Sequence, residues 1–162
     1  MRRFDQETAI AAIELEQMVA DYWREVDMNG AVHAADYFTE DGVAIMGLQS
    51  FAGRAEIARF YAERLASNHA QFGAGNRRTS HTIVNLRIVF DDKDQAGVEF
   101  MTVTYAAVGK LPVSNATLPA AIGEVRLSCR RDGSGQWLIH AFHGAPVFLS
   151  GDDYVQKAFA PR

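Results

Sequence analysis

Three residues of this chain have types suited to moving a proton: Tyr22, Asp27 and His81. Tyr22 and Asp27 stand five positions apart, and His81 opens the run "HTIVNLRIVF". A carboxylate bonded to one imidazole nitrogen fixes the ring's tautomer and leaves the other nitrogen free to accept a proton. A nearby phenol can donate to an oxygen on which charge develops. Each residue also has an ordinary explanation. Asp27 falls at the end of a helical stripe, where the negative end of the helix dipole disfavours an acid unless solvent or a cation attends it. His81 at a strand edge could equally bond backbone or water. The residues alone leave both readings open.

Other chemistries find no support in the pattern. There is no GxGxxG after a strand, no P-loop and no GxSxG elbow. The five histidines show no HExxH spacing, and the single cysteine, Cys129, lies mid-strand among apolar neighbours, as an inert thiol does. No metal and no cofactor is therefore expected. A net charge of −4 without a basic block argues against nucleic acid and anionic membranes as partners. One cysteine allows no internal disulfide, which fits a cytoplasmic location. Acids at positions 5, 7, 14 and 16 interrupt any signal-peptide core, and no apolar run is long enough to span a membrane.

The elements that must position these residues are helices first and strands later. Leu15, Met18, Val19, Tyr22, Trp23 and Val26 recur at helical spacing from about residue 5 to 28, and Asn29-Gly30 stops the helix. A short second helix is predicted over 31–38, a turn over 39–42 and a strand over 43–47. A third helix follows Gly53, with Ile57, Phe60, Tyr61 and Leu65 on one stripe. Long strands are predicted near 81–90, 96–108, 121–131 and 136–148. In the first of these, odd positions are the more polar. His81 then shares a face with Asn85 and Arg87 unless a bulge intervenes. Such an order argues for one α+β domain over 1–162, its core at 8–148 and a tail at 149–162. The helices would pack on a curved antiparallel sheet whose open end leaves a cavity.

Four segments carry a resemblance to a known family: "VDMNGAVHAADYFTEDGVAIMG", "FAGRAEIARFYAERL", "TSHTIVNLRIVF" and "RRDGSGQWLIHAF". Their order and spacing resemble the nuclear transport factor 2-like superfamily and its SnoaL-like domain, over about residues 8–148. The resemblance implies a cone-shaped α+β fold with the N-terminal helices on the concave face of the sheet. Tyr22 is similar to the oxyanion-binding tyrosine of the ketosteroid isomerase pattern. That pattern's base falls near Met46, which cannot take a proton.

The dehydratase-like pattern, similar to scytalone dehydratase, bile-acid dehydratase and dehydrochlorinase-like members, fits the residues better. It implies that Asp27 and His81 form a catalytic pair with Tyr22 beside it, and that Trp23, Tyr105, Glu124, His140 and Phe142 line the pocket. Phe142 stands where two of those enzymes place an arginine. The implied reaction is elimination, cyclisation or isomerisation of a small apolar polyketide- or steroid-like molecule, with Glu124 as a proton donor and loop 109–120 over the mouth. A homodimer through the sheet is implied as well. The same fold also serves non-catalytic ligand-binding proteins and accessory subunits, so that alternative stands beside the enzyme.

Overall fold

The computed structural model describes residues 4–114, 118–151 and 156. Helix α1, Gln6–Met28, begins at Asp5, whose carboxylate accepts the Thr8 backbone N–H at 2.8 Å. Its apolar stripe, including Leu15, Val19, Tyr22 and Val26, is buried. After Asn29 the chain reverses through Gly30 and Ala31, both at positive φ (69° and 65°). Glu25 secures this reversal: its buried carboxylate accepts from Asn29 Nδ2 at 2.5 Å and from the His33 backbone N–H at 2.8 Å. The predicted short helix is reduced to a single 3-10 turn, Ala34–Tyr37.

Six strands follow: β1 Phe38–Met46, β2 Gln49–Ala52, β3 Arg77–Phe90, β4 Gln95–Val108, β5 Ala121–Arg131 and β6 Trp137–Leu149, with helix α2, Arg54–Phe72, between β2 and β3. They form one curved, unclosed sheet in the order β2-β1-β6-β5-β4-β3. The neighbours run antiparallel except β1 and β6, which are parallel. The expected turn at 39–42 lies inside β1. The register against β6 shifts between Phe38 and Val43, and this bulge absorbs the turn-forming residues Thr39 to Gly42. The short strand β2 had no clear periodic signal, and α2 runs past the predicted stripe to Phe72.

Both helices lie against the sheet, and one core joins them. Leu15, Phe38, Ile57, Val98 and Ile139 are fully enclosed in it. Further register shifts put extra residues in β3 and β6. Each such bulge adds local twist and bends the sheet. The curvature leaves a cavity between α1, α2 and the strands. Among the described residues, no helix is long and apolar enough to cross a membrane. Most of the tail at 149–162 lies outside the described residues.

Candidate active site

The last turn of α1 sets Asp27 against the start of β3. Its Oδ1 accepts a hydrogen bond from His81 Nδ1 at 2.7 Å and one from Thr79 Oγ1 at 3.0 Å. Its Oδ2 accepts the His81 backbone N–H at 2.7 Å. The side chains are only 12% and 7% exposed for Asp27 and His81 respectively. Burial alone pushes the Asp27 carboxyl up, but the bonds from His81, its charge and the Thr79 hydroxyl outweigh it. The net result lies below the usual carboxylate range. The dipole penalty at this helix end is thus met by three donors. His81 lines the cavity, and Asp27 leaves its Nε2 as the nitrogen available there. The Trp23 indole stacks on the imidazole, with centroids 4.1 Å apart and planes at 25°.

A bulge explains why periodicity could not decide where His81 points. The β3–β4 register shifts between Val84 and Arg87, and Asn85 takes the left-handed conformation at φ 57°. Before the bulge, Arg77, Thr79 and His81 line the cavity. After it, Ile88 is buried, while Arg87 faces out and pairs with Glu99 at 2.9 Å. His81 therefore does not share a face with Arg87.

The cavity measures about 530 Å³, within the span of small-molecule sites. Tyr22, Trp23, Tyr61, His81 and Phe142 line it. The Tyr22 hydroxyl is hydrogen-bonded to that of Tyr61, and both side chains are buried. Burial raises the pKa of each phenol, so both stay protonated at neutral pH. Tyr61 was absent from the expected site. A phenol on the apolar stripe of α2 reads as core, and only the approach of α2 to α1 brings it to Tyr22. No charge stands at Phe142, which is buried beside Tyr22 and Trp23.

Three expected pocket residues point away from the cavity, Glu124 and Tyr105 by strand parity and His140 as the extra residue at a register shift in β6. On β5, Val125 and Leu127 are buried while Glu124 is 53% exposed and turned to Arg126 at 3.7 Å. Glu124 borders the cavity, but its carboxylate is on the solvent side and is not placed to donate into the site. On β4, Thr102, Thr104 and Ala106 line the cavity, so Tyr105 points outward and is 38% exposed. His140 lies outside the cavity near Thr39 and Asp41, its Nδ1 at 3.3 Å and 3.8 Å from their side-chain oxygens. The described residues of loop 109–120 line no part of the cavity, and Leu111 and Leu118 are exposed. Cys129 is buried with its thiol pushed up to about 12, as an inert core thiol should be. Among the described residues, no group of three or more His, Cys, Asp or Glu is arranged to hold a metal.

The chain belongs to the SnoaL-like domain family, whose model matches residues 7–143. No curated protein matched it. Among solved structures it is similar to a proposed scytalone dehydratase from Novosphingobium aromaticivorans (TM-score 0.70, 19% identity, 88% of this chain and 87% of that one). It is similar to ActVI-ORFA from Streptomyces coelicolor (TM-score 0.70, 16% identity, 88% and 98%). A Catenulispora acidiphila protein solved in complex with S-DNPA is also similar (TM-score 0.67, 23% identity, 85% and 94%). At these identities the likenesses establish the fold.

Proposed function

We propose that this protein is a cofactor-independent lyase or isomerase/cyclase, acting by dehydratase-like elimination on a small, largely apolar polyketide- or steroid-like molecule. The observation that carries the reading is the 2.7 Å bond from His81 Nδ1 to a nearly buried Asp27 carboxylate, on a histidine that lines a cavity. In this reading Asp27 keeps the proton on Nδ1, and Nε2 removes a proton from a carbon next to a carbonyl. The imidazolium formed is stabilised by Asp27 on one side and by the stacked Trp23 face on the other. The Tyr22 and Tyr61 hydroxyls are neutral; one donates to the other, and the remaining O–H donates to the enolate oxygen or to the departing hydroxyl, which leaves as water with the proton taken by His81. Glu124 has no part in the chemistry, because its carboxylate faces Arg126.

Support for a small ligand comes from the cavity and from the C. acidiphila relative solved with S-DNPA. The name of the N. aromaticivorans relative agrees with the reaction class. The test is His81→Ala assayed by mass spectrometry for loss of water from β-hydroxy ketone substrates. Turnover should fall to background while circular dichroism and Tm stay near wild type. Full activity in that variant would sink the assignment and leave a ligand-binding protein.

A further inference from the structure

We infer that the Thr102 hydroxyl is a subsite in the sheet wall of the cavity, and that the ligand is a flat ring system carrying an oxygen at the end away from its reacting carbon. This deepens the proposed function and rests on the cavity being its substrate site. On β4 the even positions face inward. Ala96, Val98 and Phe100 are buried in the core, and Thr102, Thr104 and Ala106 continue the same face along the cavity. Thr102 is only 6% exposed. Its hydroxyl bonds no described residue, yet it is not sealed from the cavity that Thr102 lines. A buried hydroxyl without a partner is costly, and valine would fill the same shape without that cost. The fold has no use for an oxygen here, and a polar ligand does.

Gly123, the cross-strand partner of Thr102, keeps that hydroxyl open. A Cβ added at Gly123 would stand 3.5 Å from Thr102 Oγ1 and 3.1 Å from the Ala145 carbonyl oxygen. With Ala121 on β5 and Gly144 on β6, Gly123 leaves this wall without large side chains, while Trp23 and Phe60 line the cavity from the two helices. A flat ring fits between the two. The register sets the distance to the chemistry. Thr104 pairs with His81 across β3 and β4, and Thr102 lies two residues further along. With paired Cα atoms about 5 Å apart and a rise of about 3.4 Å per residue, the Cα atoms of Thr102 and His81 are roughly 8 Å apart. That is the scale of a bicyclic ring with its oxygen at the far end. A threonine hydroxyl both donates and accepts, so it takes a phenol hydroxyl or a ring carbonyl.

The test compares 2,6-dihydroxynaphthalene with 2-naphthol by titration calorimetry. The probes share one ring and one hydroxyl, and only the diol has an oxygen at the far end. The diol should bind about ten-fold tighter, well beyond the roughly two-fold that its two equivalent orientations supply. In Thr102→Val the gap should shrink to that statistical factor, and Tm should not fall. In Thr102→Ser, which keeps the hydroxyl, the gap should persist. A wild-type gap no larger than the statistical factor overturns the subsite, as does a diol that shows no saturable binding. A gap that survives Thr102→Val, or is lost in Thr102→Ser, overturns it too. So does a marked fall of Tm in Thr102→Val, which would make the hydroxyl part of the fold. The two readings fail separately. A preference for the diol without turnover of any substrate sinks only the lyase, and turnover without that preference sinks only the subsite.

Discussion

Replacing Asp27 with Asn isolates what the carboxylate does, because shape is kept while charge and one acceptor are lost. In the wild type, Oδ1 takes two donors and Oδ2 takes the His81 backbone N–H. An asparagine oxygen can take over only one of those positions. With the oxygen at the Oδ1 position, the amide NH2 confronts the His81 backbone N–H, donor against donor. Turned the other way, it confronts the ring Nδ1–H and the Thr79 hydroxyl. One unsatisfied buried donor costs about 1–3 kcal/mol. For a domain of this size that lowers Tm by roughly 2–12 °C.

The effect on turnover is larger. Unit charges 4 Å apart in a partly buried site attract by about 4 kcal/mol. Forfeiting that stabilisation of the imidazolium slows kcat by about three orders of magnitude. Two readouts check this. Long-range nitrogen–proton NMR of the histidine rings reads the His81 tautomer without any substrate, and steady-state kinetics reads kcat once a turned-over substrate is in hand. The Nδ1–H form should dominate in the wild type and give way to a mixture in Asp27→Asn. KM should change little. The variant should also lose one source of acid sensitivity. Asp27 has a depressed folded pKa, so its stabilisation is complete above the unfolded value near 3.9 and fades as pH falls below it. A folded Asp27→Asn protein with the wild-type tautomer and kcat within about three-fold of wild type would refute the coupling.

Tyr61→Phe leaves the buried Tyr22 hydroxyl without its partner, at a cost of about 1–3 kcal/mol. Thermal unfolding should show a lower Tm, and kcat should fall more than KM rises; an unchanged kcat would remove the tyrosine pair from the mechanism. The homodimer is expected through the convex face of the sheet, where Val103, Ile122 and Phe148 lie in register across β4, β5 and β6 and Phe148 is 65% exposed. Light scattering should find a dimer in the wild type and a monomer in Phe148→Glu; a wild-type monomer would contradict it.

Much of the fold was legible because its signals are periodic. The stripe of α1, the long strands β4 to β6 and the Asn29-Gly30 stop all lie close to where the pattern placed them. The failures share a cause. Tyr105 was read into the cavity and is one residue from Thr104 and Ala106, which line it; Glu124 borders the cavity, but its carboxylate is turned to Arg126. A strand alternates faces at every step, so an error of one position inverts a side chain. The His81 environment depended on the same parity, and there the chain itself changes phase at Asn85. Tyr61 failed differently: its role comes from where two helices meet, which no window of sequence contains.

The bulge at Asn85 also explains how β3 serves two ends. Its first half must present Arg77, Thr79 and His81 to the cavity at odd positions, while its second half must bury Ile88 at an even one. A regular strand cannot do both. In one register Ile88 would leave the core; in the other, His81 would turn from Asp27. One extra residue in the left-handed conformation reconciles them, and asparagine tolerates that conformation better than other non-glycine residues do. The residue types hide the switch, because polar odd positions before Asn85 and apolar even positions after it read as one unbroken alternation. The left-handed residue at Asn85 is what puts His81 on the face opposite Arg87, where the Asp27 carboxylate meets it.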